Sequence, residues 1–181
     1  MFKKVFGFVE RSLAVAGLCF IVFHLGFGLS EIVSDSMSPT LQGDAGEPDN
    51  DVYLYERIST RFGAPSRQSL VVFEDGDGVR IAKRVVGLPG ESLRIKDSQL
   101  EVNGTLLPPP AEGVRYLRAG KLRPRRDKPE TYTVPEGTVF VLGDNSRDSY
   151  DSRFYGGLEE KRWRGRAVAV VWPPSRWSWV W

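Results

Sequence analysis

From Leu13 to Leu29 the chain carries no charged side chain, roughly 17 residues that extend about 26 Å as an α-helix and match the hydrocarbon core of a bilayer. Lys3, Lys4 and Arg11 precede this run, while Glu31, Asp35 and Asp44 follow it. The positive-inside rule therefore places the N-terminus in the cytoplasm and everything after residue 30 outside. The expected layout is a short cytoplasmic segment over 1–11, one transmembrane helix over 12–30 and an extracytoplasmic domain over 31–181. A cleaved signal peptide is the competing reading, since a cut near the end of the run releases a soluble domain beginning just before Ser36. His24, within the span, is expected to face a partner helix or a polar interface rather than to relay protons.

Scarcity narrows the chemistry further. The 181 residues include one Cys and one His, and both Cys19 and His24 fall in the apolar run. An internal disulfide, a Cys-rich zinc site and a Ser/His/Asp triad are thereby excluded from the domain outside. The net charge is only +2, with acids and bases interspersed, so no nucleic-acid footprint is expected. The basic run Lys121-Leu122-Arg123-Pro124-Arg125-Arg126 reads as a solvated loop, with anionic lipid headgroups as the minor alternative.

Beyond residue 30 the patterns are those of strands: 51–55, 69–73, 79–86 and 92–95, then 99–102 and 105–107 as a hairpin around Asn103-Gly104. Val139 to Leu142 and Ala167 to Trp172 are continuous apolar runs, as expected of strands buried on both faces. Residues 111–130, rich in Pro, Gly, Arg and Lys, read as a mobile excursion. The expected fold is mostly β: one N-terminal transmembrane helix, then an antiparallel, barrel-like ectodomain with a small hairpin and loop excursion over 97–135. All five Trp residues lie in the tail, where they either touch lipid or fill the core.

Three segments carry polar groups suited to chemistry. In Ser34-Asp35-Ser36-Met37-Ser38-Pro39-Thr40-Leu41, Pro39 biases Ser38 toward extended backbone. Side chains two apart in an extended chain share a face, so Ser36 can attack while Ser34 donates to the same reacting group. A serine-rich linker is the plain alternative. Without His, a base for Ser36 must be Lys, Asp, Glu or a terminal amine. Lys83 and Arg84 sit inside an apolar strand pattern, where adjacent side chains face opposite ways, so one of them turns inward; alternatively both lie at an exposed edge. Burial depresses an amine's pKa and makes it a base. The loop from Gly143 to Gly156 follows an apolar run. In it Asp151 and Arg153 can pair, and Ser149 can hydrogen-bond an inward amine; a calcium loop built from Asp144, Asn145, Asp148 and Asp151 is opposed by its spacing and its two arginines.

Together, in this order behind one span, these segments resemble the bacterial type I signal peptidases, membrane-bound Ser/Lys proteases that remove signal peptides from exported proteins. The resemblance rests on the Ser34–Leu41 box, on Lys83-Arg84-Val85-Val86-Gly87-Leu88-Pro89-Gly90, and on Gly143-Asp144-Asn145 with Ser149-Tyr150-Asp151-Ser152-Arg153. It implies Ser36 as nucleophile and Lys83 as general base, with the Ser36 N–H and the Ser34 hydroxyl forming the oxyanion hole. Ser149 then orients the Lys83 amine, and Asp151 and Arg153 support the loop. Ile32, Met37, Leu41 and Ala82 line small pockets for alanine-like side chains. It further implies no metal or other cofactor. Substrates are signal-peptide-bearing preproteins, cut after Ala-x-Ala-like sites at the cytoplasmic membrane of a bacterium, with the lipid bilayer and the secretion translocon as further partners.

The chain departs from the family pattern in the longer stretch 42–50, in Gln68-Ser69, and in Val33 and Ser30 near the third pocket. Two other readings belong beside the first: a maturation protease dedicated to one secretion or conjugation substrate, and a non-catalytic relative that only binds signal peptides. A self-cleaving Ser/Lys repressor needs a DNA-binding domain where the apolar run lies.

Overall fold

The computed structural model describes residues 2–44, 47–122 and 131–180. Arg123 to Arg126 of the basic run, the rest of the excursion to Glu130, and Trp181 lie outside them. A single helix, α1 (Phe2–Gly26), opens the chain, and Val5–Gly26 within it is long and apolar enough to cross a membrane. That span measures about 33 Å at 1.5 Å per residue. Its ends differ from the expected 12–30: the helix begins earlier, and Phe27 onward is already strand. The strand wins there because Phe27 to Glu31 finds a partner, pairing residue by residue from Phe27↔Glu56 to Glu31↔Val52.

The elements that follow are β1 (Phe27–Glu31), β2 (Val52–Glu56), β3 (Leu70–Glu74), β4 (Arg80–Gly87), β5 (Ser92–Lys96), β6 (Gln99–Val102), β7 (Thr105–Leu107), β8 (Tyr132–Thr133), β9 (Thr138–Leu142), α2 (Ser152–Tyr155), β10 (Leu158–Glu159), β11 (Trp163–Trp172) and β12 (Ser178–Trp179). They form two antiparallel sheets. The larger is ordered β1-β2-β11-β3-β4-β9-β10 with β12 on β11, and the smaller β7-β6-β5-β8. The domain that follows α1 is thus mostly β, as expected, and barrel-like without closing.

Alternation along the strands divides the core. Leu70 and Val72 face one apolar cluster with Tyr53, Tyr55 and Ala82, whereas Val71 and Phe73 face another with Val85, Val139 and Val141. Such double burial is why β3, β9 and the Ala167–Val170 stretch of β11 read as apolar runs. A third cluster lies between the smaller sheet and the inner ends of β4 and β9. The hairpin β6–β7 turns on Asn103 and Gly104 at φ 51° and 80°, the paired left-handed residues of a tight two-residue turn.

One expectation needs correction. Residues 111–122 are not a mobile excursion: Val114, Tyr116 and Leu122 are buried in the third cluster, Tyr116 N–H donates to Ser98 O at 3.0 Å, and the Arg118 guanidinium caps Ile95 O at 2.6 Å. Their apolar residues follow neither a strand nor a helix period, so pattern alone hides them. Of the two settings weighed for the tail Trp residues, the core takes Trp163, while Trp172, Trp177 and Trp179 are exposed by 49%, 75% and 65%.

At Gly165, where the register against β3 shifts, β11 passes close to the backbone of β2. A Cβ there would lie 2.1 Å from the Glu56 carbonyl oxygen. Backbone cannot step aside as a flexible side chain can. Gly165→Ala is therefore expected to destabilise the domain by about 1–3 kcal/mol, read as a lower urea midpoint at unchanged slope.

Candidate active site

The serine segment is held from below. Ile32 N–H donates to Asp51 O at 2.9 Å, and Asp51, fully buried, takes both nitrogens of the Arg176 fork at 2.7 and 2.9 Å. The longer stretch before it is tied in as well, since Asn50 Nδ2 donates to Glu31 Oε1 at 3.0 Å and Gln42 N–H to Asp51 Oδ2 at 2.8 Å. Ser34 is extended (φ −151°, ψ 153°), and the chain then makes a 3-10 turn over Asp35–Met37 before Ser38 extends again at ψ 139° ahead of Pro39. The fully extended backbone expected across Ser34–Ser36 is corrected accordingly. The turn nevertheless brings the two hydroxyls to 3.2 Å, and it drives Met37 inward.

Lys83 and Arg84 are both buried, at 3% and 4% exposure, because β4 is covered on both faces. Neither the one-inward expectation nor the exposed-edge alternative describes them. Lys83 Nζ is hydrogen-bonded to Ser36 Oγ. Burial lowers the Lys83 pKa to about 8; Asp151 and Asp144 pull it upward, and Arg153 again lowers it. A buried amine largely neutral above pH 8 and bonded to a hydroxyl is placed to take that hydroxyl's proton.

On the other face Arg84 forks onto Asp144, Nε to Oδ1 at 2.8 Å and Nη2 to Oδ2 at 2.6 Å. Thr40 joins them, its hydroxyl donating to Asp144 Oδ2 at 2.5 Å while accepting from Arg84 Nη2 at 3.1 Å. One residue from each of the three polar segments thus meets in a single network. The role of Thr40, Arg84 and Asp144 as fasteners was not read from the sequence, although an acid, a base and a hydroxyl in separate conspicuous segments were a usable signal.

The third segment comes close to the first. Asn145 N–H donates to Ser36 O at 3.1 Å, and a Cβ on Gly143 would meet Ser149 Oγ at 2.3 Å and Ser36 O at 2.5 Å. Ser149 does not donate to Lys83; its hydroxyl goes to Asp151 Oδ2 at 2.7 Å. Asp151 also accepts from Gly143 N–H at 3.0 Å, caps α2 through Arg153 N–H at 3.1 Å, and takes Arg153 Nε at 2.8 Å and Nη2 at 2.9 Å. The Arg153 fork then satisfies the carbonyls of Ser146, Ser149 and Leu117. Every oxygen of this buried pair is occupied.

A cleft of about 340 Å³ opens at Ser34, Ser36 and Lys83. Ile32 and Ala82 line it, as expected. Met37 and Leu41 do not: both are fully buried in the core beneath, where the 3-10 turn and the Leu41 N–H to Met37 O bond direct them. Val33, Ile81, Asp148 and Tyr150 line it instead. Tyr150 stacks on Phe154 with ring centroids 5.2 Å apart, an arrangement set by the fold of the loop and not by a sequence period. The cleft lies between two strand edges without partners among the described residues, since β1 ends its sheet and β9 pairs with β4 only from Arg84 on.

Residues 5–172 match the family model described as signal peptidase, peptidase S26. A probable signal peptidase I-2 of Synechocystis is 34% identical over 152 residues, which cover 80% of this chain and 63% of that protein. Signal peptidase I V of Bacillus subtilis is 34% identical over 164 residues, covering 88% of this chain and 94% of its own length. The crystal structure of a signal peptidase I from Enterococcus faecalis is 31% identical, covers 57% of this chain and 97% of that one, and superposes with a TM-score of 0.44.

Removing one partner of a buried ion pair leaves the other charged and dry. Asp151→Ala, which strands the Arg153 guanidinium, is expected to destabilise the domain by about 3–5 kcal/mol in equilibrium urea unfolding.

Proposed function

Starting from the fact that the chain belongs to the signal peptidase, peptidase S26 family, we propose that it cleaves signal peptides from exported preproteins with Ser36 as nucleophile and Lys83 as general base. The observation that carries this reading is the buried hydrogen bond between Lys83 Nζ and Ser36 Oγ, at an amine whose pKa is brought down to about 8. Neutral Lys83 accepts the Ser36 proton as Oγ attacks the scissile carbonyl. The carbonyl oxygen gains negative charge in the tetrahedral intermediate. The Ser34 hydroxyl, 3.2 Å from Ser36 Oγ, and the Ser36 N–H, in the opening turn of the 3-10 helix, are positioned to stabilise it. The Lys83 ammonium then protonates the leaving amine, and an acyl ester remains on Ser36. Lys83 next takes a proton from water, the hydroxide attacks the ester, and the proton returns to Ser36.

Ser149 acts on the base at one remove, fixing Asp151, whose charge is felt by Lys83. The open edges of β1 and β4 suit an extended peptide laid between them, because both have free ladder groups facing the cleft. Ile32 and Ala82 narrow the floor near Ser36, which supports cleavage after small side chains of the Ala-x-Ala kind.

Val5–Gly26 serves as a membrane anchor, with Lys3 and Lys4 before it on the cytoplasmic side and the domain from Phe27 onward outside. The setting is the cytoplasmic membrane of a bacterium, beside the secretion translocon from which preproteins emerge. A signal peptide in the same bilayer meets the site in two dimensions, which raises its effective concentration.

The test is cleavage of a detergent-solubilised precursor with an Ala-x-Ala site. Ser36→Ala and Lys83→Ala are each expected to lose at least about a thousandfold in kcat; full cleavage by both would sink the reading. The wild-type rate is expected to climb with pH and level off above about 8, because only the unprotonated amine can accept the proton and its pKa is depressed to that value. Ser34→Ala should lower kcat about 100-fold with KM little changed, the mark of an interaction that strengthens in the transition state.

A further inference from the structure

A second concavity, of about 350 Å³, lies beside the cleft and shares Arg80 with it. Its walls carry four guanidinium groups, those of Arg57, Arg61, Arg80 and Arg164, with the Thr60 hydroxyl among them. Two carboxylates also face it. Glu74 is bound to Arg164 at 3.0 Å, and Glu160 lines the cavity with them. Arg57, Arg61 and Arg80 have no carboxylate partner among the described residues. Instead the guanidinium carbons of Arg57 and Arg80 lie 5.4 Å and 5.8 Å from the ring of one buried residue, Tyr55, whose hydroxyl accepts from Arg57 Nη2 at 3.3 Å. With Glu74 committed to Arg164, three guanidinium groups share the cavity with one carboxylate, that of Glu160, and an anion between them relieves the repulsion of the excess positive charge.

The position of the cavity selects the anion. Arg57 N–H donates to the carbonyl of Gly26, the last residue of α1, at 2.8 Å. Ile58 lies against the same glycine, and the loop beyond presents Ile58 and Phe62 to the outside, Phe62 being 85% exposed. Apolar side chains at the end of a membrane span, with arginines beside them, place this loop at headgroup level. Resting on the reading of α1 as a membrane anchor, we propose that the cavity of Arg57, Thr60, Arg61 and Arg80 is a seat for the phosphate of an anionic lipid headgroup. Arg is the suited residue, since its planar fork meets phosphate oxygens two at a time.

The test uses the full chain in vesicles of phosphatidylcholine alone or of an equimolar mixture with phosphatidylglycerol. Flotation reports insertion, and native mass spectrometry after mild detergent extraction reports which lipid stays bound. The wild type is expected to retain phosphatidylglycerol about tenfold over phosphatidylcholine, and the Arg57→Gln/Arg61→Gln variant to lose that preference while still floating. Lys96→Gln, which removes an exposed cation from the smaller sheet, should keep it. Equal retention of both lipids by the wild type, or an equal loss in Lys96→Gln, would overturn the site. Retention of inorganic phosphate in place of lipid would overturn the lipid assignment. Failure to float would overturn the anchor and this inference together, whereas floating without selectivity removes only the inference.

Discussion

An amine buried in the middle of β4 is the constraint on which the site depends. Water would hold Lys83 charged, and β4, covered on both faces, denies it water. The two acids that pull its pKa upward are each paired, Asp151 forked to Arg153 and Asp144 to Arg84, and burial outweighs them. Each carboxylate therefore brings its own cation, and that of Arg153 lowers the Lys83 pKa in turn. Buried ion pairs are poor sources of net stability because both partners must be desolvated. Here their value is electrostatic and geometric: they allow polar residues to surround an amine without recharging it.

The same pairs join pieces of chain far apart in sequence. Thr40, Arg84 and Asp144 come from three segments, and the Arg153 fork reaches Leu117 and Ser146 as well as Asp151. The loop from Gly143 to Gly156 has little apolar content, so satisfied polar groups hold it where a hydrophobic core cannot. Gly143 shows how tight the assembly is, since the space for one Cβ is already taken by Ser149 and by the carbonyl of Ser36.

Much of this could be read from the residues, and what escaped did so for definite reasons. The strands, the hairpin at Asn103-Gly104 and the apolar helix follow from periods and turn chemistry, which are local. The scarcity of His and Cys narrowed the base to Lys, Asp, Glu or a terminal amine without any fold. Burial of both Lys83 and Arg84 was not legible, because alternation says which faces differ and not what covers each. Met37 and Leu41 were assigned to the cleft and lie beneath it, since a 3-10 turn of three residues leaves no periodic trace. Val114, Tyr116 and Leu122 went unseen as core for a related reason: they pack one at a time against the smaller sheet. The stacking of Tyr150 on Phe154 is likewise tertiary, arising only once the loop has closed around Asp151.

The passage from α1 to β1 has no linker. Gly26 ends the helix, Phe27 begins the strand, and the bond from Arg57 N–H to Gly26 O fastens the junction. Rigid elements joined this way act as a measuring rod. The five residues of β1 rise about 17 Å, and Ser36 follows shortly after, so its distance from the end of the helix is set by backbone geometry. Under the proposed anchoring of α1, a peptide arriving from the same bilayer would be sampled at one fixed elevation, making the choice of bond partly a matter of height rather than of side-chain fit.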